Sequence, residues 1–490
     1  MALAESLSFL IIYHITRVTS IIILCAVVLY FALLMAVSRL TGAKADNEAF
    51  YRAGRKAPWP AVAFGMVGAS ISGITFVSVP GMVMRTQMTY LQTCLGFILG
   101  YVVVALLLLP LYYRLNLTSI YGYLGQRLGR RSHLTGSTFF LLSKMAGASV
   151  RFYVVCMILQ RFVFDAFHVP LPLTVVLLVA LIWLYTRRGG MKTLVWTDTM
   201  QTVFLFTALL LIIYSVTQRL DMTAADAVAA VWRSDMSRVF VWGDWVSTQN
   251  FWKQFVSGMF IVVVMTGLDQ DMMQKNLTCR TKREAQKDML SYGVAFVPVN
   301  ALFLTLGALL VMLSQRQGVA LPSAGDSILP EFVAQAGTVV EVLFVLGIVA
   351  ASFSSADSAL TSLTTIFCVD LMPAADNTAS RRRVHVAMCA VFVVVILLVH
   401  AAGSKSLIDA IYTIVGYTYG PLLGLFAFGL LTHCQTSEKW VPYIAVFSPL
   451  ACYAASLAAE KYYGYRFGYE LLLMNGLLTF IMLFCCRKRA

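Results

Sequence analysis

The sequence predicts an all-α polytopic membrane protein of about thirteen transmembrane helices, and three observations predict it. Of the 490 residues, 59% are hydrophobic and only 12% are charged, with a mean hydropathy of +0.79; such a chain cannot clothe a soluble domain in an ordinary polar surface. Apolar runs long enough to cross a hydrocarbon core of about 30 Å recur from end to end. Basic residues collect in every second connection between them. The net charge of +14 therefore belongs to loops. A nucleic-acid partner would need a basic face interleaved with aromatics, and these charges instead form short clusters between apolar runs.

The first run spans 19–39 with no charged n-region or small-residue cleavage site before it, so no cleaved signal peptide is expected. Arg39, Lys44, Arg52, Arg55 and Lys56 follow it. The second, 60–83, contains "FGMVGASISGITFVSVPG" (64–81), which strings Gly65, Gly68, Ser70, Ser72, Gly73, Ser78, Pro80 and Gly81 along a nominal helix. Such a helix is expected to unwind in mid-membrane, where freed carbonyls can coordinate a cation; close helix packing is the competing use of its small residues. The third run, 90–112, leads to Arg127, Arg130 and Arg131. The fourth, 134–163, holds Lys144 and Arg151 two turns apart on one face. Intramembrane cations are costly and face a wet cavity or an anion, and Arg favours bidentate carboxylate recognition. Snorkelling, or pairing with an acid elsewhere, competes with that role.

The fifth run, 171–186, ends at Arg187, Arg188 and Lys192, and the sixth, 193–216, carries an intramembrane acid, Asp198. The seventh and eighth, 251–274 and 288–314, flank Lys275, Arg280, Lys282, Arg283 and Lys287. The ninth, 338–367, includes "GIVAASFSSADSALTS" (347–362), in which Ala351, Ser354, Ser355 and Ser358 share one helical face beside Asp357. One serine would bond its own i−4 carbonyl; a stripe of oxygens with an adjoining carboxylate fits a cation site better. The tenth run, 384–402, follows Arg381, Arg382 and Arg383; the eleventh, twelfth and thirteenth span 406–432, 440–458 and 468–486, before Arg487, Lys488 and Arg489. By the positive-inside rule the N-terminus lies outside and the C-terminus in the cytoplasm, in the plasma membrane or, for a prokaryote, the inner membrane. The ten cysteines show no CxxC or Cys/His metal spacing, and no disulfide framework is expected.

Six stretches in sequence resemble the sodium:solute symporter family: "AFYRAGRKAPW" (49–59), "LTSIYGYLGQRLG" (117–129), "GGMKTLVWTDTMQT" (189–202), "TGLDQDMMQKNLTCRTKREAQ" (266–286), "SSADSALTSLTTIFCVDL" (354–371) and "YGPLLGLFAFGLL" (419–431). The resemblance covers roughly residues 47–430. It implies a LeuT-like inverted repeat of five plus five helices, with one extra N-terminal and two extra C-terminal helices. The divisions implied are 1–46 (external segment and extra helix), 47–216 (core helices 1–5), 217–432 (external loop and core helices 6–10) and 433–490 (the two C-terminal helices).

Carried over by residue, the resemblance implies a central sodium site on the carbonyls of Gly68, Ile71 and Ala351 and the hydroxyls of Ser354 and Ser355. A second cation site of some relatives falls on Asp198, Ser354, Ser358 and Asp357, the last being serine or threonine in relatives. A second sodium, a proton or a purely structural pair all remain open for these two acids. The substrate candidates are Ser72, Thr75, Gln92, Lys144 and Arg151. Sugar-carrying relatives have Ser-Ala-Glu-Gln where this chain has Ser72, Gly73, Ile74 and Thr75, and "IVVVMTG" (261–267) lacks their asparagine and gating tyrosine. "ITFVSVPG" (74–81) is more similar to monocarboxylate, iodide and vitamin carriers.

The expected function is sodium-coupled import of a small, carboxylate-bearing organic solute by alternating access, with sodium as coupling ion, no other cofactor and no nucleic acid. A neutral sugar, polyol or vitamin is the alternative substrate. A transporter-like sensor would need a signalling domain, which the sequence does not show. A membrane acyl transferase would need a nucleophile and base, and the six histidines lie scattered without a partner motif.

Overall fold

The structure is a computed structural model that describes residues 2–42, 45–373, 377–402, 407–465, 467–468 and 470–488. Lys44 and Arg489 lie outside them. Among the described residues, helix dominates and β structure is limited to two isolated bridges, Ala57 with Cys279 and Thr436 with Arg487. The principal helices are α1 (Ala2–Gly42), α2a and α2b (Trp59–Ser70, Gly73–Thr86), α3 (Tyr90–Arg114), α4 (Arg130–Phe167), α5 (Leu171–Gly189) and α6 (Met191–Arg219). They continue with α7a and α7b (Phe251–Gly267, Gln270–Asn276), α8 (Lys282–Gln317), α9 (Thr338–Leu371), α10 (Thr378–Ala402), α11 (Leu407–Leu431), α12 (Val441–Tyr463) and α13 (Leu471–Cys485). Among the described residues, nine are long and apolar enough to be continuous spans, α2 and α7 are bent by 62° and 70° at a break, and α11 and α13 supply shorter apolar stretches. The described parts of the apolar runs read from the sequence fall on these helices.

Both breaks have local causes. In α2 the Ile71 amide closes the last turn on the carbonyls of Val67 and Gly68, after which Ile71 (φ −86°, ψ 93°) and Ser72 (ψ 169°) run extended before Gly73 restarts the helix. In α7 the π-turn Val263–Gly267 ends the first half, and Asp269 caps the second by accepting from the amides of Asp271 and Met272. Gly68 is required by packing: a Cβ there would stand 1.9 Å from Thr202 Oγ1 on α6. Close packing is therefore served at this residue, while its carbonyl accepts from the Ile71 amide.

The helices sort into two packed bodies. One groups α2, α3, α7a and α8; the other groups α4, α5, α9 and α10. α6 lies against both, on α9 and α2a, and α11 packs on α4 and α13. The perimeter exposes apolar side chains, among them Leu29, Leu106, Leu142, Val294 and Leu398, the surface an integral membrane protein presents to lipid. Arg381, grouped in the sequence with a surface triplet, is instead buried, with its guanidinium 4.2 Å from the Phe50 ring centre and donating to Asn47 Oδ1.

Candidate substrate cavity and ion sites

Where the two bodies meet, a cavity of about 150 Å³ is walled by α2, α3, α4, α7, α8 and α9. Ser72, Thr75, Lys144, Arg151 and Ser355 line it together, as do Ser70, Tyr101, Thr266, Asp269, Asp271 and Tyr292. Apolar contacts come from Ile74, Phe97, Ile261, Met265 and Phe296. A hydroxyl relay crosses one wall: Tyr101 donates to Tyr292 (2.8 Å), Tyr292 meets Ser70 Oγ at 2.5 Å, and Ser70 donates to the Met66 carbonyl (2.9 Å). This chain joins α3, α8 and the C-terminal end of α2a.

Lys144 and Arg151 reach the same cavity but are differently engaged. Lys144 Nζ donates to both oxygens of Asp269 (3.1 Å each) and pairs with Asp271 Oδ2 at 2.7 Å. Its charge is answered by these two acids, the pairing that competes with a substrate role. Tyr419 on α11 donates to Asp269 Oδ2 at 2.8 Å, so Asp269 is a filled acceptor and a helix cap at once. Arg151, by contrast, meets no carboxylate among the described residues. Gln92 departs from the expectation: fully buried at the start of α3, it donates to the Gln249 carbonyl (2.9 Å) and accepts from the Val241 amide (3.0 Å). Its amide pins the 241–249 loop and does not line the cavity.

The oxygens expected for sodium gather where α9 meets the α2 break. Ser355 Oγ lies 2.7 Å from the Ala69 carbonyl and 3.2 Å from that of Ala351, and can donate to either. Ser354 Oγ donates to Asp198 Oδ1 at 2.8 Å. Gly68 in the last turn of α2a and Ile71 at the break are both buried. Carbonyl and hydroxyl oxygens are the kind of donor a hard cation takes.

Asp198 and Asp357 have separate partners. With its amide oriented to satisfy its neighbours, Gln201 donates to Asp198 Oδ1 at 3.3 Å and accepts from Tyr30 at 3.1 Å. Asp357 accepts from Tyr185 (2.6 Å) and, at 3.2 Å, from Ser358. Between them comes a group that loop-charge counting misplaced: Lys275 of α7b is buried and its Nζ stands 2.8 Å from Asp198 Oδ2, an ion pair off the hydrogen-bond axis. Asp271 and Asp357 are the other carboxylates near this ammonium. A protein ammonium thus stands beside the acids read as a second cation site.

The sequence reading passed over Asp269, Asp271, Lys275, Tyr101, Tyr292 and Tyr419. Two acids two residues apart, just after Gly267 inside an apolar run, were a legible sign of a broken helix with a polar cap. The tyrosines carried none, because an aromatic in a membrane span reads as core.

Two broken spans at membrane depth, a polar cavity between two helical bodies and buried acids beside one break define a secondary transporter. The chain belongs to the sodium:solute symporter family, whose model matches residues 50–438. It is 26% identical over 408 residues to the human sodium/iodide cotransporter, covering 81% of this chain and 63% of that protein's length. It is also 26% identical over 399 residues to the sodium/sialic acid symporter NanT of Aliivibrio fischeri, covering 78% of this chain and 77% of that one. Its fold matches a substrate-bound, outward-open Na+-coupled sialic acid symporter with a TM-score of 0.80 at 19% identity, over 96% of this chain and 99% of that one.

Proposed function

We propose that this protein couples sodium entry to import of a small solute bearing a carboxylate, with Arg151 receiving the carboxylate. One observation carries this reading: Arg151 is the basic group of the cavity with no acid against it among the described residues, while Lys144 is clamped by Asp269 and Asp271. A cation left open in a membrane cavity is held for an anionic group, and a guanidinium matches a carboxylate two bonds at a time. The relatives named for iodide and sialic acid, both anions, point the same way.

The coupling ion binds the carbonyls of Gly68, Ile71 and Ala351 with the hydroxyls of Ser354 and Ser355. Filling that site ties α2 to α9 across the seam between the two bodies, and their rocking then exposes cavity and ion to either side. Inward movement of each sodium charge gains about 2.3 kcal/mol per 100 mV. At Asp198 and Asp357 we assign the cationic role to Lys275 rather than to a second sodium or a proton, since its ammonium already stands against Asp198; Ser354 and Ser358 then serve as hydrogen-bond partners. The core divides at residues 47–216 and 217–432, with the N-terminus outside; a broken helix at the head of each half supports the inverted repeat.

The test is uptake of radiolabelled propionate or alanine into proteoliposomes, with and without an inward sodium gradient. Sodium-dependent uptake is expected, and at saturating sodium Arg151→Ala should weaken apparent affinity by about 2–5 kcal/mol, with Arg151→Lys recovering part of it. Affinity within twofold of wild type in Arg151→Ala, or equal uptake without sodium, would refute the assignment.

A further inference from the structure

The carboxylate reading leaves one polar atom of the cavity unanswered. Asp271 lines the cavity, is only 4% exposed, and gives Oδ2 to Lys144 at 2.7 Å, while its Oδ1 has no hydrogen-bond partner. Carboxylate oxygens buried this deeply are expected to meet a donor. Among the described residues the nearby donors are committed elsewhere: Lys144 is shared with Asp269, the Tyr419 hydroxyl is spent on Asp269, and the Lys275 ammonium is paired with Asp198. The cavity therefore presents an unanswered guanidinium at Arg151 and an unanswered carboxylate oxygen at Asp271.

We infer, resting on the carboxylate reading above, that the substrate is a small zwitterion whose carboxylate meets Arg151 and whose ammonium donates to Asp271 Oδ1. Size agrees: about 150 Å³ is below the roughly 300 Å³ at which pockets for drug-sized ligands begin. A compact amino acid suits that volume, with Ile74, Phe97 and Phe296 around its carbon skeleton. Lys144 becomes the positioning residue that holds Asp271 in place through Oδ2 and leaves Oδ1 turned to the ligand.

The experiment titrates matched probes against the purified full-length protein at saturating sodium, reading the shift in its thermal unfolding midpoint. Alanine, β-alanine and γ-aminobutyrate cover three spacings of the two charges; propionate and butyrate lack the ammonium, and ethylamine and propylamine lack the carboxylate. At least one amino acid should bind about tenfold or more tightly than its des-amino counterpart, because that counterpart leaves Asp271 Oδ1 buried and unpaired. Asp271→Asn should collapse this ratio towards one, while Lys144 keeps its bonds to Asp269. Wild-type protein that binds propionate or butyrate as tightly as the amino acids, with Arg151 required, would overturn the zwitterion and leave the carboxylate reading standing. Amines binding as well as amino acids, or no sodium-dependent response to any carboxylate, would overturn both. An Asp271→Asn variant that loses sodium affinity while the probe ratio is unchanged would assign Oδ1 to the ion and defeat the inference.

Discussion

Deleting the Lys275 ammonium would leave Asp198 buried against only the donors of Ser354 and Gln201. Breaking one side of a buried ion pair costs about 3–5 kcal/mol, so Lys275→Gln should lower the unfolding midpoint sharply. Asp198→Asn combined with Lys275→Gln should regain most of the loss, since an amide pair carries no unmatched charge; a double variant as unstable as Lys275→Gln alone would show the pair is not what stabilises this site. At this scale the sequence was legible where residue type is unusual for its setting. Ser354, Ser355 and Asp357 stand out in a membrane run, and so does Arg151. Lys275 was hidden because it opens a run of basic residues, and only three dimensions turn it inward while Arg280 stays at the surface. Gln92 misled for the converse reason: a buried polar residue near a cavity can be occupied entirely by a loop.

The α2 break depends on how closely α6 approaches it. Gly68→Ala would set a methyl 1.9 Å from Thr202 Oγ1 and 2.8 Å from its Cβ, which must push α6 away from α2a. Overpacking of this kind costs about 1–3 kcal/mol, and here it also moves the Gly68 carbonyl proposed as a sodium ligand, so thermal midpoint and sodium affinity should fall together. Thr202→Ala in the same chain removes the hydroxyl but not the Cβ, and should restore part of each; a Gly68→Ala protein with unchanged sodium affinity would separate the packing of this residue from ion binding. Helices were read well because a span must be a long apolar run. Their ends were read less well: α8 starts at Lys282, several residues ahead of its apolar run, because Thr281 caps it by accepting from the Glu284 amide and a charged turn extends beyond the hydrocarbon. The α2 break was announced by glycines and serines, whereas the α7 break, made by a π-turn and an aspartate cap, is marked only by the acids Asp269 and Asp271.

Across the whole molecule, the basic connections set the proposed orientation, with the loop between α6 and α7 outside and the start of α10 inside. In a background without native cysteines, Asp244→Cys should react with an impermeant maleimide in intact cells and Arg382→Cys only after permeabilisation; the reverse pattern would invert the topology. The two bodies share the cavity and meet at the oxygens proposed for sodium, which is how one bound ion would bias the arrangement of both. That coupling requires sodium to sit on the α2–α9 seam, and equilibrium binding of radiolabelled sodium to purified wild-type and Ser355→Ala proteins tests it most directly. The account predicts one saturable sodium in the wild type and a loss of about tenfold or more in affinity in Ser355→Ala, with the unfolding midpoint in sodium-free buffer unchanged. Equal sodium affinity in the two proteins, or no saturable sodium binding to the wild type, would contradict it.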